Sequence, residues 1–231
     1  MTKGLLAEFL IPLLAVAAAT AGLSASGADL AAAAFFYAPG SGWTHGGEEP
    51  WVFLYRYGNI PALALGAMGA VVFVLGFFVE RLRRERAAAL FVVAFLALGP
   101  GLIVNTAFKD HWGRPRPADV VQFGGTEVYR PFWSPGEAGQ GRSFPSGHAA
   151  VGFFLMAPYF VLRRRAPGRA RKALAAGILY GGLMGLGRMI QGGHFLTDVI
   201  WSGALVYLAG LALYHLLRPD RQGMQSEAAA A

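Results

Sequence analysis

The chain has 231 residues, a formal net charge of +7 and no cysteine; it is 55% hydrophobic and only 14% charged. The lack of cysteine excludes disulfides, cysteine-ligated zinc and thiol catalysis. The surplus of cations does not indicate nucleic acid, because most of them flank long uncharged runs instead of forming one binding face.

Stretches free of Asp, Glu, Lys and Arg cover 9–28, 61–79, 87–108, 143–162, 173–187 and 199–217. Most reach the roughly 20 residues that cross about 30 Å of hydrocarbon. The fifth does so if Arg188 is its outer end. The expectation is an all-α polytopic membrane protein with six transmembrane helices, forming one integral-membrane domain over 1–225. The first run ends in the small residues Ser24-Ala25-Ser26. It is long for a cleaved signal and reads as a retained helix. Residues 29–60 read as an interfacial or periplasmic segment. Phe35, Phe36, Tyr37, Trp43, Trp51, Phe53, Tyr55 and Tyr57 crowd it, as aromatics do at a membrane–water boundary. His45, Glu48 and Glu49 read as a hydrophilic tip. Residues 109–147, rich in Gly and Pro, read as a loop able to expose backbone N–H groups. The Ala-rich 226–231 reads as a disordered tail.

Thirteen of the twenty cations fall on one side of this layout: Lys3, the group Arg81 to Arg86, the group Arg163 to Lys172, and Arg218 with Arg221. By the positive-inside rule that side and both termini are cytoplasmic. The other seven are Arg56, Lys109, Arg114, Arg116, Arg130, Arg142 and Arg188. They lie on the outer side, where the rule predicts few. An anion site explains them better than insertion does.

Three patterns meet at that outer boundary. The first is Lys109-Asp110-His111-Trp112-Gly113-Arg114-Pro115-Arg116-Pro117. The second is Pro145-Ser146-Gly147-His148, at the start of the fourth run, where a helix N-terminus offers free N–H groups to an anion. The third is Arg188, followed after five residues by His194 and then by Asp198. Residues four apart share a helix face, so Asp198 is expected to hydrogen-bond His194 and fix its tautomer. Phosphoryl transfer needs such a set: cations for the nonbridging oxygens, an oriented imidazole as nucleophile, and a second histidine for the leaving group. No carboxylate cluster offers to hold a metal, so neither metal nor cofactor is expected.

These patterns resemble the three motifs of the type 2 phosphatidic acid phosphatase superfamily. Lys-x6-Arg-Pro matches Lys109, Arg116 and Pro117. Pro-Ser-Gly-His matches 145–148, and Ser-Arg-x5-His-x3-Asp matches Arg188, His194 and Asp198. The resemblance implies phosphate binding by Lys109, Arg116, Arg188, Ser146 and the Gly147 amide. It implies attack by His194 to give a phosphohistidine, orientation by Asp198, and proton transfer by His148. Arg114 is extra to the motif and is expected at a headgroup or second phosphate. Gly187 stands where the family usually has Ser. The stretch 29–58 is loosely similar to lipid A phosphatases. The expected function is metal-independent dephosphorylation of a lipid phosphate or diphosphate, such as lipid A, undecaprenyl diphosphate or phosphatidylglycerol phosphate. The protein would be a multi-pass protein of the bacterial inner membrane with its active site at the periplasmic ends of helices 3–6, the bilayer and a lipid phosphate as partners and no nucleic acid. A lipid-to-lipid phosphotransferase would use the same residues. A membrane transporter would need the cations but not the histidines, and a vanadium haloperoxidase would not need six apolar runs.

Overall fold

Apolar segments in lipid must satisfy every backbone N–H and C=O internally, and helices do so. The computed structural model describes residues 3–220, which form helices and connecting loops with no strand among them. Helix α1, Lys3–Ala25, breaks at Gly27, whose φ of 74° suits glycine, and the short α2, Ala28–Ala34, follows. Helices α3, Trp51–Tyr57, and α4, Ile60–Leu75, run on as a single membrane-length element, Trp51–Leu75. Residues 51–60, expected in an interfacial segment, are therefore the outer part of the second long helix. Pro61 falls in the first turn of α4, where its missing N–H interrupts little.

After the short α5, Glu80–Arg83, helix α6, Arg86–Leu96, widens into a π-helix over Ala97–Phe108. Pro100 lies inside it and cannot donate to the ladder. Asn105 Nδ2 instead donates to the Pro100 carbonyl at 2.8 Å, and Lys109 N to the Val104 carbonyl at 3.1 Å. The π-helix ends on Lys109.

Helix α7, Gly147–Phe153, a 3-10 turn, Phe154–Met156, and α8, Ala157–Leu162, make one interrupted apolar element. Helices α9, Pro167–Ile190, and α10, Leu196–Leu217, complete the described chain. Among the described residues, five helices are long and apolar enough to cross a membrane. The expected fourth crossing is not among them: Gly147–Leu162 is sixteen residues long, or about 24 Å at 1.5 Å per residue. Pro158 at the start of α8 breaks its ladder. The six-helix expectation thus becomes five full-length helices and one shorter, broken one. The expected tail, 226–231, lies outside the described residues.

Helix α7 packs chiefly on α9, α4 on α6, and α1 on α10. In lipid such contacts depend on close approach, which small residues allow. A Cβ placed on Gly152 would come within 2.9 Å of the Gly181 Cα, and one on Gly177 within 2.5 Å of the Met156 N. Phe91, Phe95, Phe154 and Phe160 fill the centre, fully buried. Leu179, Ile11 and Phe78 stand exposed on the outside, at 73, 67 and 82%, as lipid-facing side chains do. Gly177→Leu is expected to lower stability by about 1–3 kcal/mol through overpacking. Thermal unfolding in detergent measures this, and an unchanged midpoint would show that α9 and the Met156 turn are not held that closely.

The ends of the bundle differ chemically. Lys109 ends the third long helix, Ser146 caps α7, Arg188 is in the last turn of α9 and Phe195 caps α10. All three sequence patterns therefore share one end. At the opposite end Glu8 of α1 pairs with Arg163 at 3.1 Å and with His215 at 2.8 Å.

Candidate active site

Helix α10 begins at Leu196, so His194 precedes it and does not share a helical face with Asp198. Asp198 sits in the first turn and reaches back, its Oδ2 accepting from the Phe195 N–H at 2.8 Å and from the Ser143 hydroxyl at 2.6 Å. His194 Nδ1 lies 3.7 Å from that carboxylate. Its hydrogen-bond partner is the Ser143 carbonyl, 2.6 Å away. The expected direct His194–Asp198 bond is thus replaced by a two-step arrangement in which Asp198 holds Ser143 and Ser143 holds the imidazole. A carbonyl only accepts, so Nδ1 carries the proton and Nε2 keeps its lone pair. Burial pushes the His194 pKa down to about 4, against the pull of Asp198, so the ring is neutral at pH 7.

Cations crowd the same site, and Lys109 and Arg188 both act electrostatically on the imidazole. Burial lowers the Lys109 pKa to about 8, helped by repulsion from Arg116, Arg142 and Arg188. Such crowding of like charges is what an anion would relieve. Gly147 approaches so closely that a Cβ there would lie 3.2 Å from Lys109 Nζ and would run into the Asn105 carboxamide. Ser146 caps α7, accepting from the Ala149 N–H at 3.5 Å, and its own carbonyl accepts from the Ser202 hydroxyl of α10 at 2.9 Å. The N-terminus of α7 is thereby fixed against α10. Arg188 donates to the Gln191 side chain, while its buried Nε has no partner. A buried guanidinium N–H left unpaired beside a lysine is a ready anion donor. Lys109, Arg116, Arg188, Ser146, Gly147, His148 and His194 are all at this end of the bundle. Among the described residues, no three His, Asp or Glu side chains gather in a way that could hold a metal ion.

Arg114 has a different place from the one expected. It is fully buried, ion-paired with Asp198 on one side and with Asp29 on the other, the latter at 2.8 Å. Its guanidinium lies 4.5 Å from the Phe195 ring centre and donates through Nε to the Arg130 carbonyl at 2.9 Å. With its donors engaged inside the protein, it offers nothing to a headgroup. It is a strut, and the two carboxylates flanking it raise its pKa against the effect of burial.

Several neighbours escaped the sequence reading. Tyr55 stacks on His148, ring centres 4.8 Å apart, and carries the Arg188 guanidinium 4.6 Å from its ring centre. With Trp51, Leu54, Met184, Gly187 and Gln191 these residues line a crevice too narrow to hold a water molecule. Gln191 Nε2 reaches the Gly46 carbonyl at 3.1 Å, tying α9 to the segment before α3. Only the excess of aromatics in 29–60 signalled this contact. Asp29 offered one signal, a lone acid between apolar runs, where charges are costly.

Residues 87–222 match the PAP2 superfamily. Lipid A 4'-phosphatase of Francisella tularensis subsp. novicida (strain U112) is 40% identical over 152 residues, which are 64% of this chain and 67% of that protein. Lipid A 4'-phosphatases of Rhizobium leguminosarum and Rhizobium etli are 37% and 38% identical, each over 55% of this chain. The chain spans about half the length of these two, 55% and 50%. No solved structure matches. With more than half its length inside the family match and all three motifs gathered at one end of a membrane bundle, the chain belongs to the PAP2 superfamily, among its membrane lipid phosphatases.

Proposed function

We propose that this protein removes a phosphate from a membrane lipid of the lipid A type, without a metal, through a phosphohistidine on His194. The observation that carries the reading is the Ser143 carbonyl bound to His194 Nδ1, which leaves the Nε2 lone pair available on a ring that feels the charges of Lys109 and Arg188. Nε2 attacks phosphorus, and the bond from phosphorus to the leaving oxygen breaks. Lys109, Arg116, Arg188, the Ser146 hydroxyl and the Gly147 amide take the charge on the nonbridging oxygens. His148 gives its proton to the departing oxygen. His148 then takes a proton from water as the water oxygen attacks phosphorus, the N–P bond breaks and inorganic phosphate leaves. The substrate class rests on the lipid A 4'-phosphatase relatives. The site faces the periplasm on this reading, since the opposite end carries the Arg81–Arg86 and Arg163–Lys172 clusters. The test is phosphate release by the purified protein in detergent with EDTA, from lipid A, undecaprenyl diphosphate, phosphatidylglycerol phosphate and phosphatidic acid. Release from lipid A above the others supports the reading. Loss of all release in EDTA, restored by a metal, would overturn the metal-independent mechanism. Transfer to a lipid acceptor without free phosphate would favour the phosphotransferase.

Two further outcomes follow from the same geometry. Lys109 is charged below about pH 8 and loses its proton above it. The activity is therefore expected to fall above pH 8 through a rise in KM, and Lys109→Arg, which cannot deprotonate, moves that limb to higher pH. A limb that stays in place for Lys109→Arg assigns it to another group. Gly187→Ser is expected to fold normally, because a Cβ there meets the Trp51 ring at an ordinary 3.4 Å. One added hydroxyl contact is worth about 0.5–1.5 kcal/mol, so KM changes by roughly tenfold at most. A large loss of kcat would mean that the serine blocks the crevice.

A further inference from the structure

Asp29 lies upstream of the family-matched segment, on α2, yet it is fully buried against the nucleophile's supports. Its Oδ1 accepts from the Thr197 N–H at 2.9 Å. Its Oδ2 accepts from the Thr197 hydroxyl at 2.6 Å, from Arg114 at 2.8 Å and from the Tyr129 hydroxyl at 3.3 Å. Arg114 Nη1, held from behind in this way, donates to Thr197 Oγ1 at 3.0 Å and to Asp198 Oδ1. With Oδ1 engaged, Asp198 turns Oδ2 to Ser143 and Phe195, and the Ser143 carbonyl accepts a hydrogen bond from His194 Nδ1–H. The chain of contacts is continuous and buried from Asp29 to the imidazole.

The geometry points to Asp29 as a positioning residue for the nucleophile: acting through Arg114, it fixes Asp198, and through Asp198 and Ser143 it sets the tautomer and aim of His194. Part of the active centre is thus supplied by the N-terminal helical segment. Tyr129 belongs to the same support, since its hydroxyl, pushed up to about 12 by burial and by the Asp29 charge, remains a donor across the working range of pH.

The kinetic arm of the test rests on the phosphatase reading; a spectroscopic arm does not. In the full-length protein in detergent, with lipid A as substrate, Asp29→Asn is expected to lower kcat about 30-fold with KM within about threefold, the size of coupling found inside one hydrogen-bonded network. In an Arg114→Lys background the same change is expected to lower kcat less than about threefold, because the path through the guanidinium is already broken. Equal losses in both backgrounds, or a change in KM alone, would overturn the proposal. Without substrate, 15N-histidine NMR at pH 7 is expected to show His194, assigned by its loss in His194→Gln, as the Nδ1–H tautomer in the wild type and as a mixture in Asp29→Asn. An unchanged tautomer overturns the proposal even if the wild type releases no phosphate, a result that would sink only the phosphatase reading. If Asp29→Asn does not fold, Tyr129→Phe removes one donor to Asp29 without opening a cavity. It is expected to lower kcat about threefold, in keeping with one lost hydrogen bond, and an unchanged kcat counts against the proposal.

Discussion

Replacing His194 with glutamine is expected to lower kcat by about 10⁴-fold or more, with the protein still folded and KM little changed. The size follows from the role: a nucleophile that forms a covalent intermediate has no substitute in the site, so its loss removes the route and not one contact within it. Glutamine keeps a donor near the Ser143 carbonyl, which accepts from Nδ1 at 2.6 Å, and so preserves the local packing. The measurement is single-turnover phosphate release from 32P-labelled lipid, with a quench that recovers label on the protein. The wild type should yield protein-bound label that is lost in acid and kept in base, as an N–P bond requires, and the variant should yield none. Label persisting in His194→Gln would place the covalent step on another residue. Release by the variant at a tenth or more of the wild-type rate would remove the nucleophile assignment altogether.

Replacing Arg114 with leucine is expected to destabilise the protein by about 3–5 kcal/mol, the usual cost of leaving a buried charge without its partner. Here two carboxylates are left, because Asp29 and Asp198 flank the guanidinium from opposite sides and both are fully buried. Lysine restores one charge but not the fork. Arg114 donates in four directions, to the Arg130 carbonyl, Thr197, Asp198 and Asp29. An ammonium on a flexible stem cannot span that spacing. Unfolding in detergent, followed by loss of tryptophan fluorescence change on heating, would measure the difference. A loss below about 1 kcal/mol for Arg114→Leu would mean that water or rearrangement reaches the two carboxylates, and that the buried pair is not the strut described here.

Much of the architecture was legible from local pattern alone. Uncharged runs of roughly twenty residues read directly as long helices. The spacing of Lys109, Arg116, Pro145 to His148, Arg188, His194 and Asp198 brought them to one end of the bundle once each run was treated as a rod. The reading failed where a run was not a uniform rod. The stretch 143–162 contains Pro145 and Pro158, and its helical part starts only at Gly147 and changes winding at Phe154. Tyr55 and Trp51 looked interfacial, yet α3 continues into α4 and lays them against His148, Arg188 and Gly187.

By itself the sequence determined the helical membrane character, the separation of a basic end from the end that holds the three motifs, and the candidates for phosphoryl chemistry. These depend on composition and on spacings within a few turns. The tertiary structure decided which partner each charged group took. Ser143 meets His194 across 51 positions, Arg114 meets Asp198 across 84, and Asp29 meets Thr197 across 168. Helical periodicity relates only residues three or four apart. A buried charge takes whichever partner the packed helices bring within about 3 Å, and that distance exists only after α2, the 109–147 loop and α10 have closed on one another.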